Sequence, residues 1–151
     1  MYTLVRRFIK TGIGFLGIGL LLGLVMLYRR EVDGVFAGPY LRSAHTHAIL
    51  VGFVMFLILG VALWLFPRAA KEDTRYDPRL MVAVYWTLTL ATATRVVGEA
   101  VRSFVAWPWL RWAILLAGTA QVAAILTYFW GMWTRIRPVG SHIREAKGER
   151  F

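Results

Sequence analysis

The chain has 151 residues, of which 58% are hydrophobic and only 17% charged, with a formal net charge of +10. A soluble domain is about half apolar and about a quarter charged, so this balance, with a mean hydropathy of +0.57, points to an integral membrane protein. Cysteine is absent, which excludes disulfides, thiolate metal sites and covalent c-type haem attachment.

Four stretches, residues 11–28, 44–66, 80–100 and 110–133, come near the roughly 20 apolar residues that cross a bilayer as helix. Arg6, Arg7 and Lys10 precede the first, as in a signal peptide. No A-x-A-type site follows it, and the span runs straight into Arg29-Arg30-Glu31, so it reads as a retained helix. A 15-residue connection containing Gly38-Pro39 leads to Ser43, the expected N-cap of the second span. Asp77-Pro78 is a start signal for the third. The fourth runs into a basic tail, residues 134–151. With no repeat and no second domain, residues 1–151 read as one transmembrane domain.

The basic residues set the expected orientation. Twelve fall at the amino end (Arg6, Arg7, Lys10), in the second connection (Arg68, Lys71, Arg75, Arg79) and in the tail (Arg135, Arg137, Arg144, Lys147, Arg150). Five lie on the other side: Arg29, Arg30, Arg42, Arg102 and Arg111. The positive-inside rule puts both termini in the cytoplasm. Trp107, Trp109 and Trp112 form the expected outer belt; Trp64, Trp130 and Trp133 form the inner one. Short connections imply an all-α, four-helix antiparallel bundle. The expected location is the cytoplasmic (inner) membrane of a bacterium or archaeon, as a multi-pass protein with the lipid bilayer as partner. Because the cations flank apolar spans, they do not read as a nucleic-acid footprint.

Ionisable groups at membrane depth mark ligand sites, proton paths or pairing partners. His45 and His47 begin the second span, and Arg95 and Glu99 fall at the same level on the third. Residues two apart on a helix point in nearly opposite directions. His45 shares a face with Ala48, Gly52, Phe56, Gly60 and Leu63, where small residues admit a helix or a flat macrocycle. His47 shares the bulky stripe of Leu50, Val51, Val54, Ile58 and Val61, suited to lipid, interfacial water, an oligomer contact or the outer loop. On the first span Gly19 and Gly23 form either a packing groove or a surface for a porphyrin, with Met26 a conceivable axial ligand. Arg95 and Glu99 read either as an i,i+4 ion pair or as two separate roles. In the second case Arg95 grips a propionate and Glu99 orients an imidazole or joins His45 and His47 on a bare metal ion. His142, in the basic tail, is assigned no role.

The segments Leu4-Val5-Arg6-Arg7-Phe8, Leu41-Arg42-Ser43-Ala44-His45-Thr46-His47 and Phe66-Pro67-Arg68 resemble the first two helices of the haem-copper oxidase and nitric oxide reductase catalytic subunit. The resemblance covers about residues 4–68. It implies that His45 is an axial ligand of haem b. That family's catalytic subunit has about twelve helices and further histidines for a copper–haem centre, which this chain lacks. The chain is therefore expected not to be an enzyme alone. A sixth haem ligand would come from Met26, a second copy's His45 or a partner subunit, or be missing.

Three functions follow. The first is a haem b-binding protein for electron transfer or gas binding, in a homo-oligomer or larger respiratory complex. The second is a non-redox assembly or stabilising subunit. The third is an outer-surface copper or zinc site using His45, His47 and Glu99.

Overall fold

The computed structural model describes residues 2–67, 69, 73–137, 140, 143, 147 and 148. Arg68, Lys71, His142, Arg144 and Arg150 lie outside the described residues. The chain folds into four helices: α1 (Tyr2–Glu31), α2 (Pro39–Leu65), α3 (Pro78–Arg102) and α4 (Pro108–Met132), the last followed by a 3-10 turn, Trp133–Arg135. All four are long and apolar enough to cross a membrane. No strand occurs among the described residues.

Three of the helices start on a proline at the first helical position. Proline there brings a fixed φ and has no N–H to leave unpaired. At α3 the side chain of Asp77 accepts the Arg79 N–H at 2.7 Å, completing the expected start. At α2 the expectation fails. Gly38, not Ser43, occupies the N-cap position; the helix begins five residues earlier and Ser43 lies inside it. The connection between α1 and α2 shrinks to residues 32–38.

Helices α1 and α2 interlock, with Gly12, Gly19 and Gly23 of α1 and Gly52 and Gly60 of α2 each receiving a large side chain of the other helix. A Cβ built on Gly60 would sit 3.0 Å from Phe8 Cβ, and one on Gly12 3.3 Å from Phe56 Cβ. One on Gly52 would sit 2.6 Å from Phe15 Cβ. Gly19 faces Ile49, and Gly23 faces the His45 ring, with Cε1 at 3.0 Å from the built atom. As the position number rises on α1 it falls in step on α2, so the pair is antiparallel. Helices α3 and α4 repeat the scheme, with Gly98 on Ile114, Gly118 on Arg95 and Gly131 on Met81. A hydrogen bond at 2.8 Å between Thr11 Oγ1 and Tyr85 Oη ties α1 to α3. Another, from Tyr128 Oη to the Leu59 carbonyl at 2.6 Å, ties α4 to α2.

The facing row on α2 recurs every four residues: Ala44, Ala48, Gly52, Phe56 and Gly60 are all buried. In an α-helix of 3.6 residues per turn such a row drifts steadily off its face. Residues Ala48–Met55 are instead wound as a π-helix. Its wider i→i+5 turn takes up that drift and keeps the row against α1.

At the end of the bundle that holds the amino terminus, Arg135 is fully buried. Its guanidinium donates to the carbonyls of Pro67 at 2.7 Å, Phe66 at 3.1 Å and Leu63 at 3.2 Å. It also lies over the Tyr76 ring, 4.5 Å from the centroid. The Leu63 and Phe66 carbonyls are orphans at the C-terminal end of α2, which need external donors, and Pro67 lies just beyond it. Nearby, Asp73 accepts from Thr134 Oγ1 and from the Arg75 N–H. Those bonds hold its carboxyl below the usual carboxylate range.

Three outcomes are expected in thermal melts of the detergent-solubilised protein. Gly52→Ala forces a Cβ into Phe15 and should destabilise by about 1–3 kcal/mol. Gly14→Ala, at a position with open space around it, should be neutral or stabilising by up to ~1 kcal/mol. Arg135→Lys should behave like a loss, because one ammonium cannot reproduce a planar fork spread over three carbonyls.

Candidate functional site

Polar side chains gather at the opposite end of the bundle, and they form two separate sites. The first surrounds His45. Its Nδ1 lies 2.8 Å from the Gly19 carbonyl oxygen. A carbonyl only accepts, so Nδ1 carries the proton and donates it. In the neutral ring Nε2 then holds the free lone pair. The ring rests on the bare backbone of Gly23, where a Cβ would come within 3.3 Å of Nδ1. A cleft of about 510 Å³ opens beside it. Met26, Leu27 and Arg30 of α1, Phe36 and Ala37 of the connection, and Arg42 of α2 line this cleft together with Gly23 and His45.

The second site lies between α2, α3 and α4. Glu99 is buried, its side chain only 4% exposed. Oε1 accepts from Arg95 Nε at 3.1 Å, the pair that the i,i+4 spacing allows. Arg95 also donates through Nη1 to Gln121 Oε1 at 3.1 Å. Gln121 in turn donates to Thr92 Oγ1 at 3.0 Å. Gly118 leaves room for this guanidinium, since a Cβ there would sit 3.1 Å from Nη1.

His47 belongs to this second site, which corrects its expected place among lipid, water or the outer loop. Its Nδ1 donates to the Ser43 carbonyl at 2.8 Å and lies 3.3 Å from Glu99 Oε2. The aliphatic stripe below it is indeed exposed at Leu50, Val54, Ile58 and Val61. His47 departs from that stripe because a buried carboxylate on α3 needs a polar neighbour, and a ring at the edge can reach it.

The two histidines thus serve different helix interfaces. Among the described residues no three His, Asp or Glu side chains come together as a metal-ligand group. The expected trio of His45, His47 and Glu99 is therefore not assembled. Arg95 is engaged by Glu99 and Gln121 rather than held free for an anion. Gly19 and Gly23 face Ile49 and His45, and Gly52 faces Phe15, so protein side chains fill the groove expected for a macrocycle between those faces. Met26 does share the His45 cleft. Sequence reasoning missed Gln121 and Thr92, whose position on the α3–α4 face was a legible signal, and it missed the orienting carbonyl of Gly19.

No protein-family model, curated protein or solved structure matches this chain.

Removing one partner of a buried ion pair leaves an uncompensated charge and costs about 3–5 kcal/mol. Because Arg95 keeps 26% of its side chain exposed, Glu99→Gln should fall near or below the bottom of that range. A double variant, Arg95→Met with Glu99→Leu, should recover much of the loss. A double-mutant cycle on melting temperature checks both.

Proposed function

We propose that this protein is a multi-pass membrane protein that binds haem b through His45, serving as an electron-transfer or accessory subunit of a respiratory oxidase or nitric oxide reductase-type system. The observation that carries this reading is the state of one ring. His45 spends its Nδ1 proton on a backbone carbonyl, the pattern by which ligating histidines are oriented and made more basic. Nε2 is left as the donor atom, and the ring borders a cleft of ligand size.

The donor set suits the group. His45 would hold the iron through its nitrogen, and Met26, on the same cleft, would offer its sulfur. Arg42, and Arg30 through the N–H groups that its Nε pair with Glu31 at 2.6 Å leaves over, would hold propionates through charge-assisted hydrogen bonds. Bound there, haem supplies one-electron redox chemistry or a gas-binding iron. Gly19 fixes the imidazole tautomer, Gly23 gives the ring its seat, and Phe36 shields the cleft with apolar surface. Glu99 and Arg95 neutralise one another beneath the same end of the bundle and hold α3 in place.

The test is an absorption spectrum of purified protein with haem-to-protein stoichiometry. A Soret band is expected, and His45→Ala should abolish it while the helical circular dichroism persists. His47→Ala should leave the band largely intact. One haem per two chains points to ligation across a homodimer. A preparation that stays colourless after haem reconstitution overturns the proposal and leaves the assembly-subunit reading.

A further inference from the structure

A second cleft, of about 450 Å³, lies at the end of the bundle that holds the amino terminus. Arg6, Arg7 and Lys10 line it, with Thr3 and Thr11 beside them and Tyr85 contributed by α3. Among the described residues none of these three cations takes part in an ion pair. Three positive charges therefore share one concavity with hydroxyl groups. Thr11 Oγ1 and Tyr85 Oη are hydrogen-bonded to each other at 2.8 Å. Each hydroxyl has one proton, so one of the two protons is not consumed by that bond. The cleft thus offers cationic and neutral donors together, the set that recognises a phosphate.

What adjoins the cleft separates a lipid phosphate from a free one. Thr3, Arg6, Lys10, Ile13 and Gly17 recur at helical spacing along one face of α1. Ile13 is 56% exposed, and Gly14 and Gly17 have open space where a side chain would stand. A charged pocket thus continues into an uncovered apolar furrow of one to two turns. That is the outline of an amphiphile with an anionic head. We infer that this cleft binds the phosphate of an anionic phospholipid, with an acyl chain lying along Ile13, Gly14 and Gly17. Basic pockets between spans on the positive side of a membrane protein bind such headgroups by the same electrostatics. The site is independent of His45 and of any haem.

The probe is phosphatidylglycerol titrated into the full chain in neutral detergent. Phosphatidylcholine and inorganic phosphate are run at matched concentration, with binding read by melting temperature and native mass spectrometry. Phosphatidylglycerol should raise the melting temperature by several degrees and survive as a bound adduct, while the other two do neither. Each cation near an anionic headgroup contributes about a factor of five. Arg6→Gln with Lys10→Gln should therefore weaken binding roughly 25-fold, and Arg29→Gln with Arg111→Gln, the same charge change at the other end, should not. Tyr85→Phe keeps all three cations and should lower affinity by a few-fold. Equal stabilisation by phosphatidylcholine, or phosphatidylglycerol binding unchanged in the Arg6/Lys10 variant, overturns the inference. A matching effect of inorganic phosphate also overturns it, by making the site one for a free anion.

Discussion

The seating of one imidazole on one glycine governs the arrangement of α1 and α2. His45 is the last large side chain in a sequence of five exchanges along the pair, in each of which a ring or branched chain meets a glycine of the other helix. Its hydrogen bond to the Gly19 carbonyl makes it more than a filler of space. A carbonyl has two lone pairs, so the oxygen can serve its own helix and still accept the imidazole proton. The contact that joins the helices is therefore also the contact that assigns the tautomer. A ring oriented in this way cannot be reoriented without opening the helix interface.

The two ends of the bundle solve the problem of buried charge differently. At one end Arg135 is taken wholly out of solvent, and its described hydrogen-bond partners are neutral: three carbonyls and the Met132 sulfur. The Leu63 and Phe66 carbonyls terminate α2 and carry the negative end of its dipole, so the guanidinium meets partial charge in place of a carboxylate. At the other end Glu99 meets a full opposite charge on Arg95, with His47 beside it. The first device closes a helix terminus, whereas the second ties three helices together. Between them the packing is carried by Phe8, Phe15, Phe56, Tyr85 and Tyr128, in edge or tilted contacts.

How much of this was legible depended on whether the cause was local. The four helices follow from apolar length, the start of α3 from Asp77-Pro78, and the Arg95–Glu99 pair from spacing alone. The small-residue face below His45 was visible too. By contrast, Ser43 looked like a cap because its side chain suits one, while Gly38-Pro39 a turn earlier starts the helix through backbone geometry. The π-helical run leaves no compositional mark, because it arises from matching a four-residue row to a partner helix. Arg135 read as one more orienting cation, since nothing in its neighbours on the chain announces carbonyls some seventy positions away. That Glu99 lies at the level of the histidines was expected, but that it meets His47 and not His45 was not. Its stripe predicts lipid, and only the placement of α3 supplies the carboxylate.

The charge around His45 also discriminates between the ligands that its free nitrogen could take. A bare copper or zinc ion is a concentrated positive charge and needs anionic or several neutral donors to offset its dehydration. The cleft supplies Arg42 and Arg30; Arg30 is paired with Glu31 at 2.6 Å, so the field that opposes such an ion at close range comes chiefly from Arg42. Glu99, the carboxylate that could have compensated, is spent on Arg95 and His47 at a different helix interface. A macrocycle that carries its own carboxylates meets the reverse situation. Its metal arrives already coordinated by ring nitrogens, needing only axial donors, and its acidic edge is attracted by the guanidinium groups that would repel a free cation. Arg42, with the N–H groups of Arg30 that the Glu31 pair leaves over, thus suits a ligand that carries its own carboxylates better than a bare metal ion.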